Sequence, residues 1–164
     1  MDEKYQKITP NSAEIFAKSL FKGIKNNVER KFVLLHSEGV AKTALRLSEG
    51  KKVDKNALII GSWLHDIGRT ESIKGHAGIS LRMAEEKFGK LPLKIKDCII
   101  NHGNSGKPLT EEGKIIQLAD KLSIAQDYRL FKLLFSKEKY KKKSLEMYGY
   151  VFRDLLEILK RYEF

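Results

Sequence analysis

A histidine and an aspartate stand side by side at positions 65 and 66, at the end of an apolar stretch. Their neighbours Trp63, Leu64 and Ile67 are apolar, and an imidazole and a carboxylate are costly to bury there without a partner. A divalent metal ion would satisfy both groups, because imidazole suits Fe, Zn, Ni and Cu and carboxylate suits harder ions such as Mn. The structural alternative is that His65 ends a helix and Asp66 begins a turn.

The other three of the four histidines also lie where a solvated surface histidine is not expected. His36 lies on the apolar side of a helical pattern, His76 lies near a helix start, and His102 ends a helix before a glycine-rich loop. Asp120 lies within a helical pattern, where a carboxylate is a poor helix former. Each could be an isolated core or capping residue. Together they could form a metal site inside a helical bundle, although spacing alone does not show that they converge.

The periodicity of apolar residues predicts an all-α protein, a compact bundle of about six to eight helices without a strand pattern or an internal repeat. Capping residues and helix-stopping glycines place the helices at about residues 10–25, 29–48, 55–66, 77–88, 92–101, 111–124 and 145–160. The last helix carries an apolar stripe of Tyr148, Val151, Phe152, Leu155, Leu156 and Leu159. Loops at 69–75 and 103–109 flank the candidate residues, and we expect them to shape substrate choice.

Length and composition favour one cytoplasmic domain. The chain has 164 residues, which suits a single domain, and no apolar run approaches the ~18 residues of a membrane span. The N-terminal residues Met1–Tyr5 include acidic side chains and no apolar core, so we expect no signal peptide. Cys98 is the only cysteine. It cannot form an internal disulfide, which fits a reducing cytoplasm, and we expect a buried, inert thiol.

The net charge of +11 attracts phosphate groups, on nucleotides, nucleic acid or anionic surfaces. The densest cluster of cations consists of Lys137, Lys139, Lys141, Lys142 and Lys143. This run could bind a polyanion, but the favoured interpretation is a solvated loop. The chain lacks a recognisable nucleic-acid-binding motif.

The candidate residues occur in an order that resembles the HD-domain superfamily of metal-dependent phosphohydrolases: His36, His65, Asp66, His76, His102 and Asp120. Residues 65–68 match the HDIG form of its signature letter for letter. The chain is also similar to small, stand-alone, archaeal-type HDIG proteins in its length and in the short spacing between His65 and His76. The resemblance implies one HD domain over residues 1–164, with a core at about 30–125 and C-terminal helices at 126–164 packing on it.

The resemblance also implies roles for individual residues. The basic metal-ligand set corresponds to His36, His65, Asp66 and Asp120, and the extra ligands of binuclear members correspond to His76 and His102. In those members the aspartate at the position of Asp66 bridges the ions and takes part in catalysis, and a metal-activated water is the nucleophile. One or two divalent transition-metal ions are implied, of Fe, Mn, Ni, Co or Zn.

Two departures from the family pattern narrow these implications. The sequence Gly-Asn-Ser-Gly follows His102, where binuclear members often have a further acidic residue or histidine, so the number of ions stays open. The chain also lacks the extended GYP-type signature, which disfavours cyclic-di-GMP phosphodiesterase activity.

Arg69 and Lys121 are candidate contacts for a substrate phosphate, because phosphoryl transfer needs cations to offset negative charge. Alternatively, Arg69 is a solvent-facing cation at a helix end, and Lys121 points away from Asp120. We predict a phosphohydrolase acting on a phosphate monoester or diester, with a nucleotide or a nucleotide-like compound as the expected substrate. The alternatives are a non-catalytic HD module that senses a nucleotide or a metal, and a basic nucleic-acid-binding protein.

Overall fold

The computed structural model describes residues 7–136 and 138–162, which contain eight α-helices, one short 3-10 helix and no β-strand. The expected all-α bundle is therefore confirmed for these residues. The helices are α1 Pro10–Phe21, α2 Asn27–Leu47, α3 Lys55–Leu64, α4 His76–Phe88, α5 Leu93–Ile100, α6 Glu111–Gln126, α7 Tyr128–Phe135 and α8 Glu138–Arg161, with the 3-10 helix Ile67–Thr70 between α3 and α4.

Side-chain caps set several helix starts where the sequence predicts them. The Thr9 side chain accepts a backbone N–H of α1, Asp54 does so for α3, and Thr110 does so for α6. Such a cap satisfies one of the backbone donors that a helix start leaves without a partner. Caps that are legible in the sequence thus begin two of the helices that carry candidate residues.

The end of α3 differs from its prediction in a way that matters for the site. The helix ends at Leu64, so His65 is its C-cap and Asp66 lies outside it. The 3-10 helix then occupies the start of the predicted loop. His65 keeps a helical backbone conformation, and the chain leaves the helix at Asp66. The end of α3 therefore places His65 in the buried interior and Asp66 at the cleft.

The prediction of a lysine-rich loop is wrong for the described residues. Lys139 and Lys141–143 belong to α8, which begins at Glu138, and Lys137 lies outside the described residues, as does the Met1–Tyr5 segment. Lysine is a good helix former, and the buried side chain of Ser144 shows that this part of α8 packs on the domain. Helix α7 was not predicted.

Half of the predicted apolar stripe of the last helix faces outward. Val151 is buried, whereas Phe152, Leu156 and Leu159 are exposed. The helix instead buries Ile158. The stripe was therefore correct as a periodic pattern but not as a single buried face.

The site lies where α2, α3, α5 and α6 pack together, and α8 packs against α6. Gly61 of α3 allows a close approach to α5, because a Cβ atom built on it would lie 2.5 Å from the Cβ of Cys98. Cys98 is buried, as expected. Within the described part of the chain, no helix has the length and apolar character needed to cross a bilayer.

Candidate metal centre

The structure brings the four histidines and two aspartates together. Five of the six line one cleft of about 300 Å³, and the fully buried His65 lies against His36. They come from five segments that are distant in sequence: α2 contributes His36, the end of α3 contributes His65 and Asp66, the start of α4 contributes His76, the end of α5 leads to His102, and α6 contributes Asp120.

Three of these residues form a buried group that we call the inner trio: His36, His65 and Asp120. The His36 Nε2 atom lies 2.8 Å from Asp120 Oδ1 and 3.3 Å from His65 Nε2. The third side of this triangle, between His65 Nε2 and Asp120 Oδ1, measures 3.7 Å. The three ligand atoms therefore face one common point.

The other three residues form the outer trio: Asp66, His76 and His102. The His76 Nε2 atom lies 3.0 Å from His102 Nε2 and 3.1 Å from Asp66 Oδ1. The distance from His102 Nε2 to Asp66 Oδ1 is 3.6 Å. The His76 side chain is 25% exposed, so this trio opens to the cleft.

The Asp66 carboxylate connects the two trios. Its Oδ1 atom belongs to the outer trio, while its Oδ2 atom lies 3.8 Å from the Nε2 atoms of both His36 and His65. Metal–ligand bonds of about 2.0–2.2 Å place neighbouring ligand atoms roughly 3.0–3.5 Å apart. The measured separations lie close to that range in both trios, so each set of atoms fits around one ion.

The ring tautomers leave Nε2 available in all four histidines. In His65, His76 and His102, Nδ1 lies 2.7–2.8 Å from the carbonyl oxygen of the residue three positions earlier. A carbonyl can only accept, so Nδ1–H donates and Nε2 carries the lone pair. In His36, Nδ1 lies 3.2 Å from Ser123 Oγ, whose hydroxyl donates to a backbone carbonyl. Such contacts orient histidine ligands in metal sites.

The donor chemistry of the neutral rings fits a bound cation. With Nδ1 protonated, His36 and His65 turn lone pairs toward each other, and so do His76 and His102. The His36 lone pair also faces a carboxylate oxygen. Facing lone pairs and carboxylate oxygens repel one another unless a positive charge lies between them. A proton or a metal ion would supply that charge. Nitrogen and oxygen donors without thiolate suit Fe, Mn, Ni, Co or Zn.

Neighbouring cations keep both aspartates ionised. Burial alone would raise the pKa of each carboxyl group. At Asp66, burial is outweighed by the charges of His65 and Arg69 and by a hydrogen bond from the His76 ring. Together they hold the pKa of Asp66 well below its usual range. At Asp120, Lys121 is the main opposing charge and lowers the pKa likewise. Both side chains are therefore carboxylates at neutral pH, as metal binding requires.

The histidines respond to the same charges in different directions. Burial would lower the pKa of His65, but Asp66 and Asp120 outweigh it and raise this pKa. A hydrogen bond to Asp66 raises the pKa of His76. Burial and the charge of His65 lower the pKa of His102 to about 4. His102 is therefore neutral at physiological pH, whereas the raised pKa values of His65 and His76 mean that these rings favour their own protonated form when no metal ion is bound.

Both predicted phosphate contacts line the cleft. Lys121 Nζ lies 2.7 Å from Asp120 Oδ2, so this side chain points toward the aspartate and not away from it. Arg69 Nη1 lies 3.7 Å from Asp66 Oδ2, and its side chain is 24% exposed. The Arg69 Nε atom is buried and has no hydrogen-bond partner among the described residues. Arg69 therefore faces the site and retains a donor for a ligand.

A glycine and a serine position the outer trio. Ser80 Oγ accepts the Gly68 N–H at 2.8 Å and donates to the His65 carbonyl oxygen at 2.8 Å. A Cβ atom on Gly68 would lie 2.3 Å from the His76 carbonyl oxygen and 2.7 Å from the Ser80 nitrogen. Only a residue without a side chain allows this approach. The contact seats the first turn of α4, which carries His76, against the turn that follows Asp66.

Sequence reasoning missed the contribution of α8 to the cleft. The cleft is also lined by Met147, Tyr150, Val151 and Asp154. Asp154 also accepts a 3.3 Å hydrogen bond from Asn104, in the loop after His102. Among these residues, only Val151 could have been noticed in the sequence, because it belongs to the apolar stripe of the last helix.

The comparisons with known proteins agree with this geometry. Residues 33–125, more than half of the chain, match the family model of the HD domain, and the chain therefore belongs to the HD domain family. The narrower similarity to stand-alone archaeal-type proteins stays a prediction. No solved structure gives a significant match.

Two curated relatives match part of the chain. One is a deoxyguanosinetriphosphate triphosphohydrolase-like protein of Caldanaerobacter subterraneus subsp. tengcongensis, 31% identical over 112 residues, with 55% of this chain and 32% of the relative covered. The other is ribonuclease Y of Treponema pallidum, 34% identical over 97 residues, with 57% of this chain and 19% of the relative covered. The chain thus spans less than a third of either relative's length.

Proposed function

We propose that the protein is a metal-dependent phosphohydrolase that cleaves a phosphate monoester or diester. The observation that carries this proposal is the Asp66 carboxylate, whose two oxygens face two separate sets of ligand atoms. Bound divalent ions would activate a water molecule and offset the charge of a phosphoryl group. Membership in the HD domain family supports the same reaction class.

The residues of the chain would divide the work as follows. The inner trio and Asp66 would hold one ion, and the outer trio would hold a second. Lys121 keeps Asp120 ionised and oriented. Arg69 presents a planar guanidinium to the phosphate oxygens, a geometry that suits phosphate better than a point charge does.

We propose a nucleotide or a nucleotide-like compound as the substrate. The net charge of +11 favours a phosphorylated ligand. The names of both relatives also refer to the hydrolysis of nucleotides or of RNA. The single buried cysteine supports the expected cytoplasmic location.

The test combines elemental analysis of the purified protein with a phosphatase and phosphodiesterase screen across nucleotides, supplying Mn and Fe separately. We expect near-stoichiometric transition metal and turnover of at least one ester. Asp66→Ala should abolish both, since it removes the group shared by the trios. Glu49→Ala, which removes an exposed carboxylate that does not line the cleft, is the matched control and should change neither.

Each contrary outcome has a distinct meaning. Protein that carries no metal without exposure to chelator, and takes up neither Mn nor Fe, would contradict the proposal. Retained metal and nucleotide binding without any turnover would favour a sensing module. RNA binding that falls steeply with salt and survives His65→Ala would favour the nucleic-acid-binding alternative.

A further inference from the structure

A second cavity adjoins the metal cleft. This groove, of about 270 Å³, lies between the start of α2 and the α7–α8 region. Phe32, Arg69 and Met147 line both the groove and the cleft. The two cavities are therefore neighbours, with these three side chains at the boundary between them.

The groove has an apolar interior and a polar edge. Val28, Phe32, Leu134 and Met147 supply apolar surface. Asn26 and Glu29 at the start of α2, and Lys143 of α8, supply polar groups. Apolar walls with a few placed polar groups are typical of a small-molecule site. A planar heterocycle matches this surface, because its faces are apolar and its edges form hydrogen bonds. An acyl chain would leave the polar groups unused.

Arg69 stands at the junction of the two cavities. Its guanidinium lies 5.9 Å from the centre of the Phe32 ring on one side and 3.7 Å from Asp66 on the other. The Arg69 side chain is 24% exposed and contributes surface to both cavities. A phosphate oxygen between the cleft and the groove would accept a hydrogen bond from this exposed part of the guanidinium.

We infer that the groove binds the base of a nucleoside monophosphate whose phosphate lies at the metal centre and contacts Arg69. This inference rests on the proposed function and specifies its substrate. Small-molecule sites commonly measure about 300–1,000 Å³. The cleft reaches the lower end of that range, the groove falls just below it, and the two together lie within it. The side chains common to both cavities place the groove beside the cleft, as a base and a phosphate on one sugar would require.

The decisive comparison uses substrates with and without a base. Metal-loaded protein is assayed with the common nucleoside 5′-monophosphates and with ribose 5-phosphate. We expect kcat/KM for at least one nucleotide to exceed that for ribose 5-phosphate by about 10-fold or more, the discrimination that even modest pocket contacts provide. Equal values would overturn the inference.

The variant Val28→Asp places a charge in the groove without touching the cleft. Val28 is the second residue of α2 and follows the Asn26 cap, where a carboxylate is favoured by the helix dipole, so the helix should persist. Asn27→Asp is the matched control, because it adds the same charge one residue earlier at a position that does not line the groove.

We expect Val28→Asp to lower kcat/KM for the preferred nucleotide by about 10-fold and to leave the value for ribose 5-phosphate within about twofold. Asn27→Asp should change neither. A parallel loss for both substrates, or no loss for either, would overturn the inference.

A binding measurement separates this inference from the proposed function. The nucleoside without its phosphate should bind the wild type and the Asn27→Asp variant more tightly than Val28→Asp, as measured by calorimetry. If no phosphate ester is hydrolysed but this difference is found, the proposed function fails and the base subsite stands. If hydrolysis is found and the nucleoside binds all three proteins equally, the base subsite fails alone.

Discussion

The inner and outer trios use similar donor groups but differ in what holds them. The inner trio is buried, and two of its members lie within long helices, at His36 in α2 and Asp120 in α6. The outer trio lies at segment ends, with His76 at the start of α4 and His102 just after α5. Helix ends and adjacent loops open locally at lower cost than packed helix interiors do. We therefore expect the inner trio to retain its ion more firmly.

The strongest test of this comparison is His65→Ala. It removes a fully buried inner ligand, so we expect loss of both ions, because the outer trio then shares Asp66 with an incomplete partner site. Turnover should fall by about 1,000-fold or more, as expected for loss of metal-ion catalysis. Elemental analysis and kcat/KM are the readouts. If His65→Ala keeps more metal than His76→Ala does, the expectation that the inner trio retains its ion more firmly is wrong.

A smaller effect is expected for His76→Ala. The inner trio and Asp66 remain, so the protein should lose about one equivalent of metal and keep the other. We expect activity to fall by at least about 10- to 100-fold, since losing even an outer partner of a metal ligand typically has an effect of that size. Unchanged metal content in both His76→Ala and His102→Ala would indicate a mononuclear site.

Arg69 should affect the substrate and not the ions. Arg69→Ala removes the guanidinium beside the outer trio, and we expect KM to rise about 10-fold with the metal content unchanged, since a hydrogen bond to a charged group contributes about 1.5–3 kcal/mol. Arg69→Lys is the conservative control and should recover part of the loss. Reduced metal content in Arg69→Ala would instead show that Arg69 positions Asp66.

The smallest effect concerns pH. The pKa values of His65 and His76 are raised in the metal-free site, so protons compete with the ion at both trios. Metal affinity should therefore fall as the pH decreases through and below those raised values and level off above them. His102, with a pKa of about 4, should release no proton near neutrality. Calorimetric titrations in buffers of different ionisation enthalpy measure the protons released, and a count of zero would contradict this prediction.

Much of the fold was predictable because its signals are local. The caps at Thr9, Asp54 and Thr110 can be read directly. The prediction for the C-terminal part was wrong because the signals that decide its structure are not local. Nothing local separates a lysine-rich loop from a lysine-rich helix, and the start of α8 is settled by packing, as the burial of Ser144 shows.

The candidate site likewise has a part that the sequence predicts and a part that depends on packing. The types and order of the histidines and aspartates suggested a metal site, but their convergence depends on how closely the helices approach. That approach requires Gly61 against Cys98 and Gly68 against α4. The contribution of Asp154 was beyond prediction, since it depends on how α8 lies across the cleft.

The close approach at Gly68 changes how the four letters HDIG should be understood. The first two letters stand for side chains in the ligand cluster. Ile67 is fully buried, and Gly68 lies where two stretches of backbone approach closely. A descendant that lost its chemistry would still need the last two letters to keep α4 in place. The isoleucine and the glycine therefore indicate that a chain has this architecture, and only the histidine and the aspartate indicate a functional metal centre.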